Sequence, residues 1–250
     1  AYKNLRGWPL LFMVFYPSLL LYSSLALRDT LVLVFMILSV IFFLENRRLL
    51  ALLISLPLLL IKFQNFLLII VFFIAHLYFS KDSVIYRYRY IFVIFIIASL
   101  APFIMSIIEI LDISRLNMFI DDGGRRGTYV HMRTIEDFII VALKSAPYFL
   151  MKPLPWEADS FLTFLQSFEN ILILAFLGFM FIKTSRLDKQ IAFKWLVYLF
   201  AALAIYGLVV YNFGTAVRYK FPFIVIVIVG MAYELYLKHG KLILNKSSRA

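Results

Sequence analysis

Long apolar runs, broken by short charged or turn-forming segments, set the pattern of this chain. Eight runs stand out: Pro9–Leu27, Thr30–Leu44, Leu49–Ile61, Phe63–Phe79, Ile91–Leu111, Phe161–Ile182, Ile191–Tyr211 and Phe221–Leu237. A hydrocarbon core of about 30 Å is crossed by about 20 helical residues rising about 1.5 Å each. The runs therefore predict an all-α fold, a polytopic helical membrane protein with about eight transmembrane helices, in a single transmembrane domain over residues 1–250. The third run has only 13 residues, and just the Lys62–Asn65 stretch divides it from the fourth, so the two also read as one long helix.

Charge chooses between those readings. With eight spans and the N-terminus inside, 15 of the 25 basic residues fall on inner segments: Lys3, Arg6, Arg47, Arg48, Lys81, Arg87, Arg89, Lys183, Arg186, Lys189, Lys194, Lys238, Lys241, Lys246 and Arg249. Outside lie Arg28, Lys62, Arg218, Lys220 and six residues of a long loop, which counts little in the positive-inside rule. Fusing the third and fourth runs would put 12 short-segment cations outside and 6 inside. The expected topology thus has eight spans and both termini inside.

Composition removes whole classes of function. The chain is 64% hydrophobic and only 16% charged, against ~45–50% and ~25% in soluble domains, which excludes a water-soluble globular enzyme. Cysteine is absent, so disulfides, thiolate metal sites and thiol catalysis are excluded. The net charge of +11 comes without a nucleic-acid motif, and its expected meaning is topology and lipid headgroups. No leader-type cleavage site follows the first run, and no internal repeat suggests an inverted-repeat transporter.

The remaining polar chemistry gathers on the outer side. The connection Asp112–Ser160 is 49 residues long, beyond the ~12–15 at which an unstructured loop is usually functional or disordered. Its apolar stretch 138–151 predicts an interfacial or re-entrant helix, followed by Pro153, Pro155 and Trp156 at the membrane–water boundary. The loop also carries Asp121, Asp122, Arg125, Arg126, His131 and Arg133. Arginine forks grip phosphate and paired carboxylates hold divalent cations, although a solvated loop turning at Gly123-Gly124 reads equally well. Arg28 and Asp29 join the first two runs almost without a loop, and a short carboxylate at that depth calls for a partner or a task. Arg218, Tyr219 and Lys220 precede the last run and oppose the positive-inside trend, which an anionic partner would offset. Gln166, Glu169 and Asn170 lie in the outer half of the sixth run.

The stretch AYKNLRGWPLLFMVFYPSLLLYSSLALRDTLVLVFMILSVIFFL resembles the third and fourth helices of GT-C membrane glycosyltransferases. It has the basic lead Lys3/Arg6, then Pro17-Ser18, Tyr22-Ser23, Asp29 and an apolar helix. The family includes protein mannosyltransferases and lipid A aminoarabinose transferases. The resemblance implies a polyprenyl-phosphate-linked sugar donor and gives Asp29 a place in the metal and phosphate region, with Mg²⁺ or Mn²⁺ as the implied cofactor. It also matches the family's large outer loop to Asp112–Ser160, and GTAVRYKFPFIV to the arginine-bearing ends of its late helices. The family's catalytic carboxylate, between its first two helices, has no counterpart in this chain. An upstream segment or a partner subunit is expected to supply it, or a loop group of this chain, Asp121, Asp122 or His131, to deprotonate the acceptor.

The expected function is transfer of a sugar from a polyprenyl-phosphate donor at the outer face of a bacterial inner membrane, in cell-envelope polysaccharide assembly. Asp29, Asp121, Asp122 and His131 are the expected catalytic residues. Arg28, Arg125, Arg126, Arg133, Arg218, Tyr219, Lys220 and Glu169 are expected to bind substrate or phosphate. The alternatives are an O-antigen-type polymerase or ligase using a polyprenyl-diphosphate donor, and a non-catalytic scaffold or transporter subunit. Membrane lipids, and no nucleic acid, are the other expected partners.

Overall fold

The computed structural model describes residues 7–17, 19, 27–80, 83–121, 129–158, 160–210 and 213–240. Among them there is no strand. The helices are α1 (Trp8–Phe15), α2 (Leu27–Leu44), α3 (Arg48–Ser55), α4 (Pro57–Ile61), α5 (Phe63–Phe79), α6 (Val84–Arg87) and α7 (Arg89–Leu100). A 3₁₀ turn at Ala101–Phe103 leads into α8 (Ile104–Asp121), followed by α9 (Ile135–Met151), a 3₁₀ turn at Pro155–Glu157, α10 (Phe161–Leu187), α11 (Lys189–Gly207) and α12 (Phe213–Leu235).

Among the described residues, four helical stretches are long and apolar enough to cross a membrane: Arg89–Asp121, Phe161–Leu187, Lys189–Gly207 and Ala216–Lys238. The apolar stretches Arg48–Ile61 and Phe63–Phe79 are shorter. The helix after Arg89 runs ten residues past Leu111, where the sequence pattern ends it, and so takes in the first residues of the 112–160 connection. Charged residues end an apolar run but not a helix: Ser114 returns its hydroxyl to the Ile110 carbonyl (2.8 Å), and Asp112 finds partners of its own.

The chain forms two compact units. The first comprises residues 1–75, 172–199 and 221–250; the second comprises 76–171 and 200–220. In the first unit, α2 ends in a turn that reverses the chain, and α3 packs back against α2. Asn46 sits there at φ 65°, its N–H bonded to the Phe43 carbonyl and that of Arg47 to Phe42. This is the Schellman geometry with asparagine in the left-handed position usually held by glycine. Aromatic rings fill the core: Phe43 stacks on Phe73 at 4.2 Å, and Phe72 lies 5.0 Å from Trp195 and 5.3 Å from Tyr198. Gly230 lets α12 approach Trp195, whose ring would lie 2.2 Å from an added Cβ. One end of this unit is tied by polar groups. Glu234 accepts from Lys194 and from Trp195 Nε1 (2.8 Å), Tyr233 donates to Glu45 (2.5 Å), and Lys238 pairs with Asp188. Arg28 and Asp29 lie at the other end of α2, 17 residues from Glu45 in sequence and so about 25 Å along the axis.

The second unit centres on Ile108, Met132 and Leu208, with Phe138, Val141, Ala142 and Val209 packed against them. Gly207 permits α11 to touch α9, since an added Cβ would lie 2.7 Å from the Ser145 carbonyl oxygen. α9 opens on a capping box in which the Thr134 hydroxyl accepts from the Asp137 N–H and the Asp137 carboxylate accepts from the Thr134 N–H, each at 3.0 Å. The Thr134 side chain first, then the N–H groups of Arg133 and Thr134, hold the Asp137 carboxyl below the usual carboxylate range.

Candidate functional site

Asp112 is the centre of a dense polar arrangement in the second unit. It lies one helical turn after Ile108, on the face of α8 that packs inward, and is 8% exposed. Three groups of the extended segment 129–133 converge on its carboxylate. Oδ1 accepts from the Tyr129 hydroxyl (2.8 Å) and the Met132 backbone N–H (2.8 Å), and Oδ2 lies 2.7 Å from His131 Nδ1. Tyr129 and Met132 are the buried residues of the segment, whereas Val130 is 78% exposed and His131 and Arg133 are exposed. Tyr129 also meets Phe119 at 5.6 Å and the edge of the His131 ring at 4.8 Å, and the Arg115 guanidinium lies 5.9 Å from its ring centre. Asp112, Arg115 and Phe119 recur every three to four residues, so one stripe of α8 holds the segment.

This geometry fixes the imidazole. A carboxylate on Nδ1 favours the tautomer with the proton there and leaves Nε2 as acceptor. The His131 side chain is 39% exposed, so the ring is oriented from behind and open in front. An oriented histidine of this kind can accept a proton from a hydroxyl.

A second group surrounds Lys220. Its side chain is completely buried and donates to the Leu150 carbonyl (3.2 Å), the Lys152 carbonyl (2.9 Å) and Asn170 Oδ1 (2.6 Å). An ammonium has three protons, and all three are engaged, so in this arrangement Lys220 offers no donor to a phosphate. It instead neutralises the last carbonyls of α9, the negative end of that helix. Asn170 completes the tie by donating Nδ2 to the Pro153 carbonyl (3.3 Å). Glu169 is half-buried on α10 and acts on Lys220 by charge. Arg218 and Tyr219, the two residues before Lys220 on α12, are half-buried, with the Tyr219 ring 5.5 Å from Tyr206.

In the first unit, Asp29 is 5% exposed and Lys62 Nζ lies 3.9 Å from its Oδ1. Arg28 is exposed and turns back to the Ile61 carbonyl, with Nε at 3.1 Å. These contacts tie the start of α2 to the end of α4. Asp29 would give a divalent cation one carboxylate, and Lys62 competes for the same charge. Among the described residues no three His, Cys, Asp or Glu side chains gather as a metal site would require, so the residues present fit a divalent cation poorly.

The remaining expected residues divide simply. Asp121 is exposed at the last position of α8, and Arg133 is exposed two positions after His131. Asp122, Arg125 and Arg126 lie outside the described residues. Asp112 is the residue the sequence pattern passed over. It reads there as the first polar residue of a loop, and nothing in the spacing to His131, 19 positions later, announces the contact. No known protein family, no curated protein and no solved structure matches the chain.

Proposed function

We propose that this chain is a GT-C-like glycosyltransferase that moves a sugar from a polyprenyl-phosphate carrier to a hydroxyl acceptor at the outer face of a bacterial inner membrane, in envelope polysaccharide assembly. The observation that carries the reading is the Asp112–His131 pair. In this scheme His131 Nε2 takes the proton of the acceptor hydroxyl as its oxygen attacks the anomeric carbon. The bond from that carbon to the carrier phosphate oxygen breaks, and the phosphate leaves with the electron pair. Asp112 stabilises the imidazolium that forms. Arg133, two positions after the base, and Arg125 and Arg126 earlier in the sequence meet the phosphate charge. The reading includes eight spans with both termini inside. The α3–α4 stretch and α5, 14 and 17 residues long, then cross at about 21 and 26 Å, lengths a bilayer accommodates by local thinning.

The test is sugar transfer from a polyprenyl-phosphate donor by the full chain in proteoliposomes. A positioned base contributes roughly 10²- to 10⁴-fold. His131→Ala is expected to lower the rate within that range, and Asp112→Asn to lower it less. Transfer that survives both substitutions unchanged removes the proposal.

A second reading, an O-antigen-type polymerase or ligase with a polyprenyl-diphosphate donor and no metal, is favoured by one contact. Lys62 already balances Asp29, the carboxylate to which the family resemblance gives a metal role. Activity on the diphosphate donor that is indifferent to EDTA and requires His131 would select it.

A further inference from the structure

The sequence Tyr86-Arg87-Tyr88-Arg89-Tyr90 reads as a topology signal, but its geometry is more specific than that task needs. Ser83 caps α6 by accepting the Tyr86 N–H at 2.9 Å, and the backbone breaks at Tyr88 before α7 begins at Arg89. The Arg89 guanidinium lies 4.8 Å from the ring centre of Tyr86 and 4.9 Å from that of Tyr90, and its Nη2 donates to the Tyr90 hydroxyl at 3.1 Å. Arg87, Tyr88 and Tyr90 are exposed. Among the described residues no carboxylate pairs with Arg87 or Arg89, and the first turn of α7 contains no acid and no capping side chain.

Three physical consequences point the same way. Aromatic rings close to a guanidinium hold its orientation, and beyond the N–H given to the Tyr90 hydroxyl the remaining in-plane N–H groups of Arg89 keep the fork shape that binds a phosphate through two bonds. A basic residue at a helix N-terminus stands against the helix dipole, and an anion there relieves both. Arg89 also begins the 33-residue Arg89–Asp121 stretch, the most apolar candidate span, which places the fork at a membrane boundary. We propose that Arg89, held by Tyr86 and Tyr90 and supported by Arg87, binds the phosphate of an anionic phospholipid headgroup. The site is independent of the transfer chemistry assigned to His131. A cation that serves orientation alone acts equally well as lysine; a fork held in place does not.

The full chain, delipidated in a neutral detergent, is the material for the test. Its melting temperature is measured with added dioleoyl phosphatidylglycerol, dioleoyl phosphatidylcholine or inorganic phosphate. Phosphatidylglycerol alone is expected to raise the melting temperature of the wild type. Arg89→Lys, which keeps the charge and loses the fork, is expected to need roughly tenfold more lipid for the same shift, and Arg87→Gln with Arg89→Gln to lose it. Tyr86→Leu removes one aromatic contact and leaves both charges, so it serves should the arginine variants not fold, and a weakened response is expected. An Arg89→Lys or Tyr86→Leu response equal to wild type overturns the proposal. So does an equal response to phosphatidylcholine, and inorganic phosphate matching the lipid overturns the lipid as its source.

Discussion

A glycine in a membrane helix reports what lies opposite it, and this chain contains contrasting cases. At Gly230 an added methyl group would overlap the buried Trp195 ring, whereas at Gly178 it would meet no atom within 4 Å. Alanine gains about 1 kcal/mol over glycine in a helix interior, and overpacking costs about 1–3 kcal/mol. Gly178→Ala is therefore expected to raise the melting temperature of the purified protein, and Gly230→Ala to lower it. A Gly230→Ala protein as stable as Gly178→Ala would show that Trp195 moves freely, although its indole N–H is held by Glu234. The same scale explains what the sequence could say about the candidate site. His131 is recognisable as a lone titratable side chain in a polar loop. Asp112 is not, because its value comes from two residues of α8 geometry and three from a segment that returns much later in the chain.

At the scale of elements, apolar length located the helices well and their ends poorly. Each described stretch from α2 to α5 lies within a few residues of its expected run. α8 overruns, because hydropathy falls at Asp112 while the helix continues to Asp121. α9 occupies Ile135–Met151, starting before the apolar stretch at 138 because Thr134 and Asp137 supply the cap. Lys220 shows the opposite limit: its position outside the inner basic segments suggested an anion, yet a buried ammonium is satisfied equally by helix-end carbonyls, and charge counting does not distinguish the two. Lys220→Met would leave the Leu150 and Lys152 carbonyls and Asn170 Oδ1 without their donor. Each orphaned buried acceptor costs about 1–3 kcal/mol. The expected outcome is a loss of several degrees in melting temperature and faster hydrogen exchange at the end of α9. Unchanged exchange there would remove Lys220 as the tie.

At the scale of the whole molecule, the absence of cysteine makes the topology directly measurable. Single substitutions Ser160→Cys and Gln190→Cys lie on either side of α10. With an impermeant thiol reagent applied to intact cells, Ser160→Cys is expected to react from outside and Gln190→Cys only after lysis. The reverse pattern would invert the orientation and put the Asp112–His131 pair out of reach of an outer acceptor. The first unit sets a further condition on how the protein is made. Its Glu45–Tyr233 bond joins residues 188 positions apart. At about 5–20 residues per second, synthesis of that interval takes on the order of 10–40 s. During that time the α2–α3 hairpin has left the ribosome but its last partner does not yet exist. The nascent chain thus carries a half-built bundle while those 188 positions are made, and a chaperone or insertase that shelters Glu45 until α12 arrives would govern how much of it matures.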